Sequence, residues 1–178
     1  MTVLARRRLA GLAAAALVLV ADKALKWLMI GPLALPERQV IDLIPFFDLR
    51  WAQNYGVSFS LLTASGDTSR WLLVALTAAI ASGVLIWLLR EKALPEVFAL
   101  GMVLGGALGN IHDRATLGYV IDYADLHFGD FRPFQIFNLA DAAISVGVVI
   151  ILARSFLSRE KRGRNDADDH PAVTPSES

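Results

Sequence analysis

The sequence predicts an all-α membrane protein: four transmembrane helices, with a small β-containing cradle on the outer (periplasmic or extracellular) side between the first and second helices. Three observations predict it. Of 178 residues, 55% are hydrophobic and the mean hydropathy is +0.50, so the bilayer is the natural solvent. Four apolar stretches are long enough, at about 1.5 Å per helical residue, to cross a hydrocarbon core of about 30 Å. Dense basic clusters fall at alternate ends of those stretches. The 17 basic and 17 acidic residues cancel, which indicates no nucleic acid or other bulk polyanion as partner. The absence of cysteine excludes disulfides, thiol catalysis and thiolate metal sites. Three histidines without an HExxH arrangement give no metal, and nothing else calls for a cofactor.

The first span follows Arg6, Arg7 and Arg8 and covers about residues 9–30, apolar except for Asp22, Lys23 and Lys26. A cleavable signal peptide shares that basic start and apolar run, but three more apolar segments favour an uncleaved first span. The second, about 71–89, is broken only by Thr77 and Ser82. The third, about 94–111, begins with Pro95 and Glu96, which suit a first helical turn. The fourth, about 137–156, carries Asp141 near its start.

Arg6–Arg8, then Arg90 and Lys92, then Arg154, Arg159, Lys161, Arg162 and Arg164 all fall on one face of a four-span arrangement. The positive-inside rule makes that face cytoplasmic, with both termini inside. Residues 31–70 and 112–135 are then the outer connections. The mixture of β-branched and aromatic residues from Val40 to Trp51 suits short strands on the membrane surface. Residues 1–157 form a single domain, and the polar tail 158–178 is expected to be disordered on the cytoplasmic side.

Charge inside a span costs about 2.5–3.5 kcal/mol on insertion scales, so each charged residue needs a partner or a purpose. Asp22 and Lys26 stand four apart, acid first, which suits either an intrahelical ion pair, with Lys23 snorkelling to the outer headgroups, or a direct role in binding substrate. Gly101, Gly105 and Gly109 form a small-xxx-small stripe for close helix packing. Asn110 and Arg114 are expected to continue that face, with Arg114 near the interface, where a carboxylate or lipid phosphate can pair with it. Asp113 has no assigned role and reads as structural.

Asn54 and Gly56 lie in a stretch that reads as a turn. Asn138 reads as the N-cap of the fourth helix, with Asp141 at its third position in the manner of a capping box. Asp122 is a second carboxylate on the same side of the membrane. Two carboxylates sharing one proton can split roles: the ionised one activates a water, and the protonated one polarises a carbonyl and serves the leaving amine. The helix dipole at Asp141 favours its charged form, which would put the proton on Asp122, with the reverse assignment left open by the sequence. Tyr123 puts a hydroxyl beside Asp122.

These residues resemble the bacterial lipoprotein signal peptidases (signal peptidase II), four-span aspartic proteases, over nearly the whole chain up to Phe156. The resemblance rests on five motifs in order. They are Asp22 with Lys26; Asn54-Tyr55-Gly56-Val57-Ser58-Phe59; Gly109-Asn110 with Asp113-Arg114; Ile121-Asp122-Tyr123; and Phe137-Asn138-Leu139-Ala140-Asp141. Ser58, Ile121 and Tyr123 are mild departures. The resemblance implies that Asp122 and Asp141 are the catalytic pair and that Asn54, Asn110, Arg114 and Asn138 line the site. It implies a diacylglyceryl-modified prolipoprotein as substrate, cut just before the lipidated cysteine, no cofactor, and sensitivity to globomycin-type cyclic peptides. It further implies residence in the bacterial plasma (inner) membrane with the site at the outer face. The expected state is a monomer. Competing readings are a proton-coupled transporter that uses the carboxylates as a relay, and a serine protease built on Ser58 with His112 or His127. The first expects acids spread through the membrane's depth, and the second lacks a GxSxG turn.

Overall fold

A computed structural model describes residues 2–56 and 66–168, with side chains within 2–56 and 67–157. The order is α1 (Val3–Ile30), α2 (Leu35–Arg38), β1 (Val40–Ile44), β2 (Phe47–Asn54), α3 (Gly66–Arg90), α4 (Leu94–Leu117), β3 (Val120–Leu126) and α5 (Leu139–Asp168). Three helices contain stretches long and apolar enough to cross a membrane: Asp67–Arg90, Leu94–Leu117 and Leu139–Leu157. The fourth expected span is α1, a helix of 28 residues and so about 42 Å long. Asp22, Lys23 and Lys26 interrupt its apolar run.

α4 packs against α1, α3 and α5, and its glycines explain the close approach to α1 and α5. A Cβ added at Gly101 would collide with the carbonyl of Gly11, and one at Gly105 with that of Ala15, so this stripe lies backbone-close against α1. A Cβ at Gly106 would instead meet the Ala140 carbonyl of α5 at 2.5 Å. In steps of four the first stripe runs 101, 105, 109 and 113, and the second runs 106, 110 and 114. The expectation that Asn110 and Arg114 continue the glycine face is therefore corrected. Asp113 continues it towards α1, and Asn110 follows Gly106 towards α5.

α4 also runs six residues past its expected end at Ile111, which places the polar stretch from Asn110 to Arg114 on helix. Arg70 of α3 allows this. Its Nε donates to the Arg114 carbonyl at 2.7 Å and its Nη2 to the Ala115 carbonyl at 2.5 Å, satisfying carbonyls of the final turn. Gly118, at φ +89°, then ends the helix with its N–H on Arg114. The backbone of α5 is helical to Asp168, beyond the expected end of the fourth span at Phe156.

The three strands form one antiparallel sheet in the order β1-β2-β3. The cradle expected between the first two spans therefore draws a strand from the second outer connection as well. Pairing of Ala52 with Asp122 and of Asn54 with Val120 sets the register. One face of the sheet rests on Met29 at the end of α1 and on Leu35 of α2, through Leu49, Ile121 and Tyr123. That packing holds β3 against the ends of α1 and α4.

Candidate active site

Asp122 and Asp141 come from different elements and are joined through Asn138. Asn138 is fully buried, and its Nδ2 donates to Asp122 Oδ1 at 2.7 Å and to the Ile121 carbonyl at 3.2 Å. Its Oδ1 accepts the Asp141 N–H at 3.0 Å, while its own N–H donates to Asp141 Oδ2 at 3.2 Å. This reciprocal pair is the expected capping box of α5. One residue thus caps the helix that carries one aspartate and clamps the other.

The remaining oxygens are also held. Asn54 Nδ2 donates to Asp122 Oδ2 at 3.0 Å, and Asn110 Nδ2 to Asp141 Oδ1 at 2.8 Å. Gly56 explains the aim of Asn54. At φ +89° the chain doubles back, so the Gly56 N–H donates to Asn54 Oδ1 at 2.9 Å and turns the Nδ2 end towards β3. Asn110 Oδ1 accepts from Asn138 Nδ2 at 3.3 Å and from Lys26 Nζ at 3.4 Å.

Asp122 is 2% exposed. Burial pushes its carboxyl up to about 6 from an ordinary 3.8. The charge of Asp141 adds to the rise, while hydrogen bonds from Asn54 and Asn138 and the charge of Lys26 oppose it. Tyr123, although next in sequence, points its hydroxyl elsewhere and accepts the Leu139 N–H at 3.2 Å. Burial pushes that phenol up to about 12.

Asp22 and Lys26 form the expected ion pair at 2.8 Å, and both are buried. The pair extends further than expected. Lys26 Nζ also lies 2.7 Å from Asp113 Oδ2, and Lys23 Nζ lies 2.7 Å from Asp113 Oδ1. The snorkelling expected of Lys23 is corrected: its side chain is 34% exposed and reaches the buried Asp113 and the ring of His112. Two acids and two bases therefore make a neutral cluster beside the aspartate pair. Asp22 Oδ1 accepts the Ala140 N–H at 3.2 Å, and Gly109 leaves it room, since a Cβ there would stand 2.7 Å from Asp22 Oδ2.

Arg114 has its Nε buried with no hydrogen-bond partner among the described residues. It stands on α4 one turn beyond Asn110. Ser58 lies outside the described residues. His127, offered as its base, pairs with Asp48 at 2.9 Å. No group of histidines and carboxylates suited to a metal ion occurs among the described residues.

The structure thus unites Asp122, Asp141, Asn54, Asn110 and Asn138 in one hydrogen-bonded unit, with Gly56, Asp22, Lys26 and Arg114 around it. Sequence reasoning missed the parts played by Asp113, Lys23 and the Tyr123 hydroxyl. The four-residue step from Gly109 to Asp113 was the available signal for the first two.

Solved structures similar to this fold include one titled as a bacterial membrane enzyme. It has a TM-score of 0.70 at 24% identity and covers 85% of this chain and 90% of that one. A lipoprotein signal peptidase of Rhizorhabdus wittichii is 55% identical over 152 residues, 85% of this chain and 88% of its own. Another, of Sphingopyxis alaskensis, is 50% identical over 157 residues, 88% of this chain and 91% of its own. The family described as Signal peptidase (SPase) II matches residues 14–157, which takes in every residue of the hydrogen-bonded unit. By that match and those identities, the chain belongs to the signal peptidase II family.

Proposed function

We propose that this protein is an intramembrane aspartic endopeptidase that removes signal peptides from diacylglyceryl-modified prolipoproteins, cleaving before the lipidated cysteine. Family membership supports peptidase activity on prolipoproteins. The observation that carries the mechanism is the single buried unit in which Asn138 bonds both Asp122 and Asp141.

In this mechanism Asp122 holds the shared proton, consistent with its carboxyl being pushed up to about 6. Asp141, fixed by Asn110 and by its cap, takes a proton from a water poised between the two carboxyls. That water attacks the scissile carbonyl while the Asp122 proton polarises the carbonyl oxygen. The tetrahedral intermediate then collapses, and the amine leaves with a proton returned by the dyad. The Nε of Arg114, without a hydrogen-bond partner among the described residues, is a donor for the bound peptide backbone. All this chemistry uses carboxylates and water, and no cofactor enters it.

α1, α3, α4 and α5 are the four spans, with both termini cytoplasmic and the sheet and dyad at the outer face of the bacterial plasma membrane. The protein works as a monomer, and globomycin-type cyclic peptides compete for the site. The neutral Asp22, Lys23, Lys26 and Asp113 cluster supports the spanning role of α1, since it leaves no net charge in the bilayer.

The test is single replacement of each acid, Asp122→Asn and Asp141→Asn, with cleavage of a diacylated prolipoprotein followed by mass. Both changes are expected to abolish cleavage. Normal processing by either variant rejects the dyad. Thermal unfolding of Asp141→Asn controls for its cap, whose loss costs about 0.5–2 kcal/mol.

A further inference from the structure

A second polar cluster lies on the sheet, three residues beyond Asp122 on β3. Asp48 and Asp125 are buried and stand opposite each other in the β2–β3 register, where like charges are unfavourable. His127 lies 2.9 Å from Asp48. Arg50 and Arg132 both donate through Nε to the same oxygen, Asp125 Oδ2, at 2.9 and 3.1 Å. The terminal nitrogens of these guanidiniums make no hydrogen bond among the described residues. The two side chains are 36% and 43% exposed. One carboxylate therefore draws two guanidiniums together; Asp48 opposite it balances the second charge, and two accessible forks remain of the kind that match phosphate oxygens.

A second, independent observation lies on either side of Arg132. Phe128, Phe131 and Phe134 are all exposed. Backbone bonds between Phe128 and Phe131, at 2.8 and 3.3 Å, and Gly129 at φ +62° fix the turn that presents them. Three phenyl rings held out beside two arginines are poorly matched to water. They suit the boundary where lipid headgroups meet acyl chains.

We propose that Arg50 and Arg132 clamp the phosphate of an anionic phospholipid of the outer leaflet, with Phe128, Phe131 and Phe134 set among its acyl chains. The clamp rests on the reading that puts the sheet at the outer face. It would fasten the free end of the sheet to the leaflet in which a lipidated substrate resides.

The test uses the full chain in neutral detergent micelles and reads bound lipid by native mass spectrometry. Phosphatidylglycerol is expected to bind, and diacylglycerol with the same chains to bind about tenfold more weakly. Inorganic phosphate is expected neither to bind nor to compete at equal concentration. Removing the clamp with R50Q and R132Q, together with D125N so that no bare carboxylate remains, should weaken phosphatidylglycerol about tenfold. The exposed pair F131S and F134S should weaken it with unchanged thermal unfolding, which keeps the test valid if the first variant misfolds. Undiminished binding in either variant overturns the proposal, as does equal binding of diacylglycerol or competition by inorganic phosphate. Binding is read without cleavage, and D122N should bind lipid as the unaltered protein does. A failed dyad and a failed clamp are therefore separable.

Discussion

Asp122 carries the clearest pH signature at the level of single residues. Its folded carboxyl titrates at about 6 against an ordinary 3.8, chiefly because it is buried. A raised acid binds its proton more tightly when folded. Its contribution to stability is therefore fully present below about pH 4 and is lost as pH rises to about 6, by about 3 kcal/mol in all. On the proposed mechanism catalysis needs the same proton, so the turnover number should fall as pH rises through about 6. Asn54 donates to the ionised carboxylate and holds that value down. Replacing Asn54 with Leu should therefore move the falling limb of the pH–rate profile to higher pH. A limb that stays in place would mean that some other group titrates there. Asp122, Asp141, Asn54, Asn110 and Asn138 were legible in the sequence because polar residues are costly at a membrane boundary and these fall in a recognisable order. Lys23 was not, because a lysine near a span's end has water as an alternative, and only the position of Asp113 on α4 decides between them.

Glycine spacing decides how the elements meet. Gly109→Ala would drive a methyl to 2.7 Å from an Asp22 oxygen that is ion-paired and unable to swing away. That overpacking should cost about 1–3 kcal/mol in thermal or denaturant unfolding, with cleavage falling alongside. Gly83→Ala on α3 is the matched control, because a Cβ there meets nothing within 4 Å, and it should leave stability undiminished. The four long helices were legible from apolar length alone, whereas the four-residue α2 was not. β3 was not, since all of its residues but Leu126 are buried, which removes the alternation that marks a half-exposed strand. The last turns of α4 were hidden for a different reason. Their carbonyls are satisfied by Arg70, a residue of another helix, and no local pattern announces such a partner.

With α1 as a span, as proposed above, charge balance in the bilayer governs the molecule as a whole. Asp22, Lys26 and Asp113 are all 2% exposed or less. Lys26→Met would leave Asp22 buried without a cation and should destabilise the protein by about 3–5 kcal/mol. Lys23→Met should cost markedly less, because Lys26 still pairs with Asp113 and the Lys23 side chain is partly solvated. Chemical unfolding in a fixed detergent compares the two, and equal losses would contradict the ranking. The helical arrangement was legible to the extent that hydropathy reveals it. The sheet's assembly from two separate connections was not, because strand pairing between residues about seventy apart leaves no mark in either segment.

The first turn of α5 has its N–H groups received by three parts of the chain: Leu139 by Tyr123 of β3, Ala140 by Asp22 of α1, and Asp141 by Asn138. Chain order gives this arrangement a meaning in time. A nascent chain that has reached β3 possesses Asp122 but neither its partner nor the cap that aims that partner. The second carboxylate arrives with the last helix and is oriented only when α1 and β3 are already in place to receive it. On the proposed mechanism, assembly therefore acts as a safety catch: a partly built copy, lying among other membrane proteins, would hold no complete dyad with which to cut them.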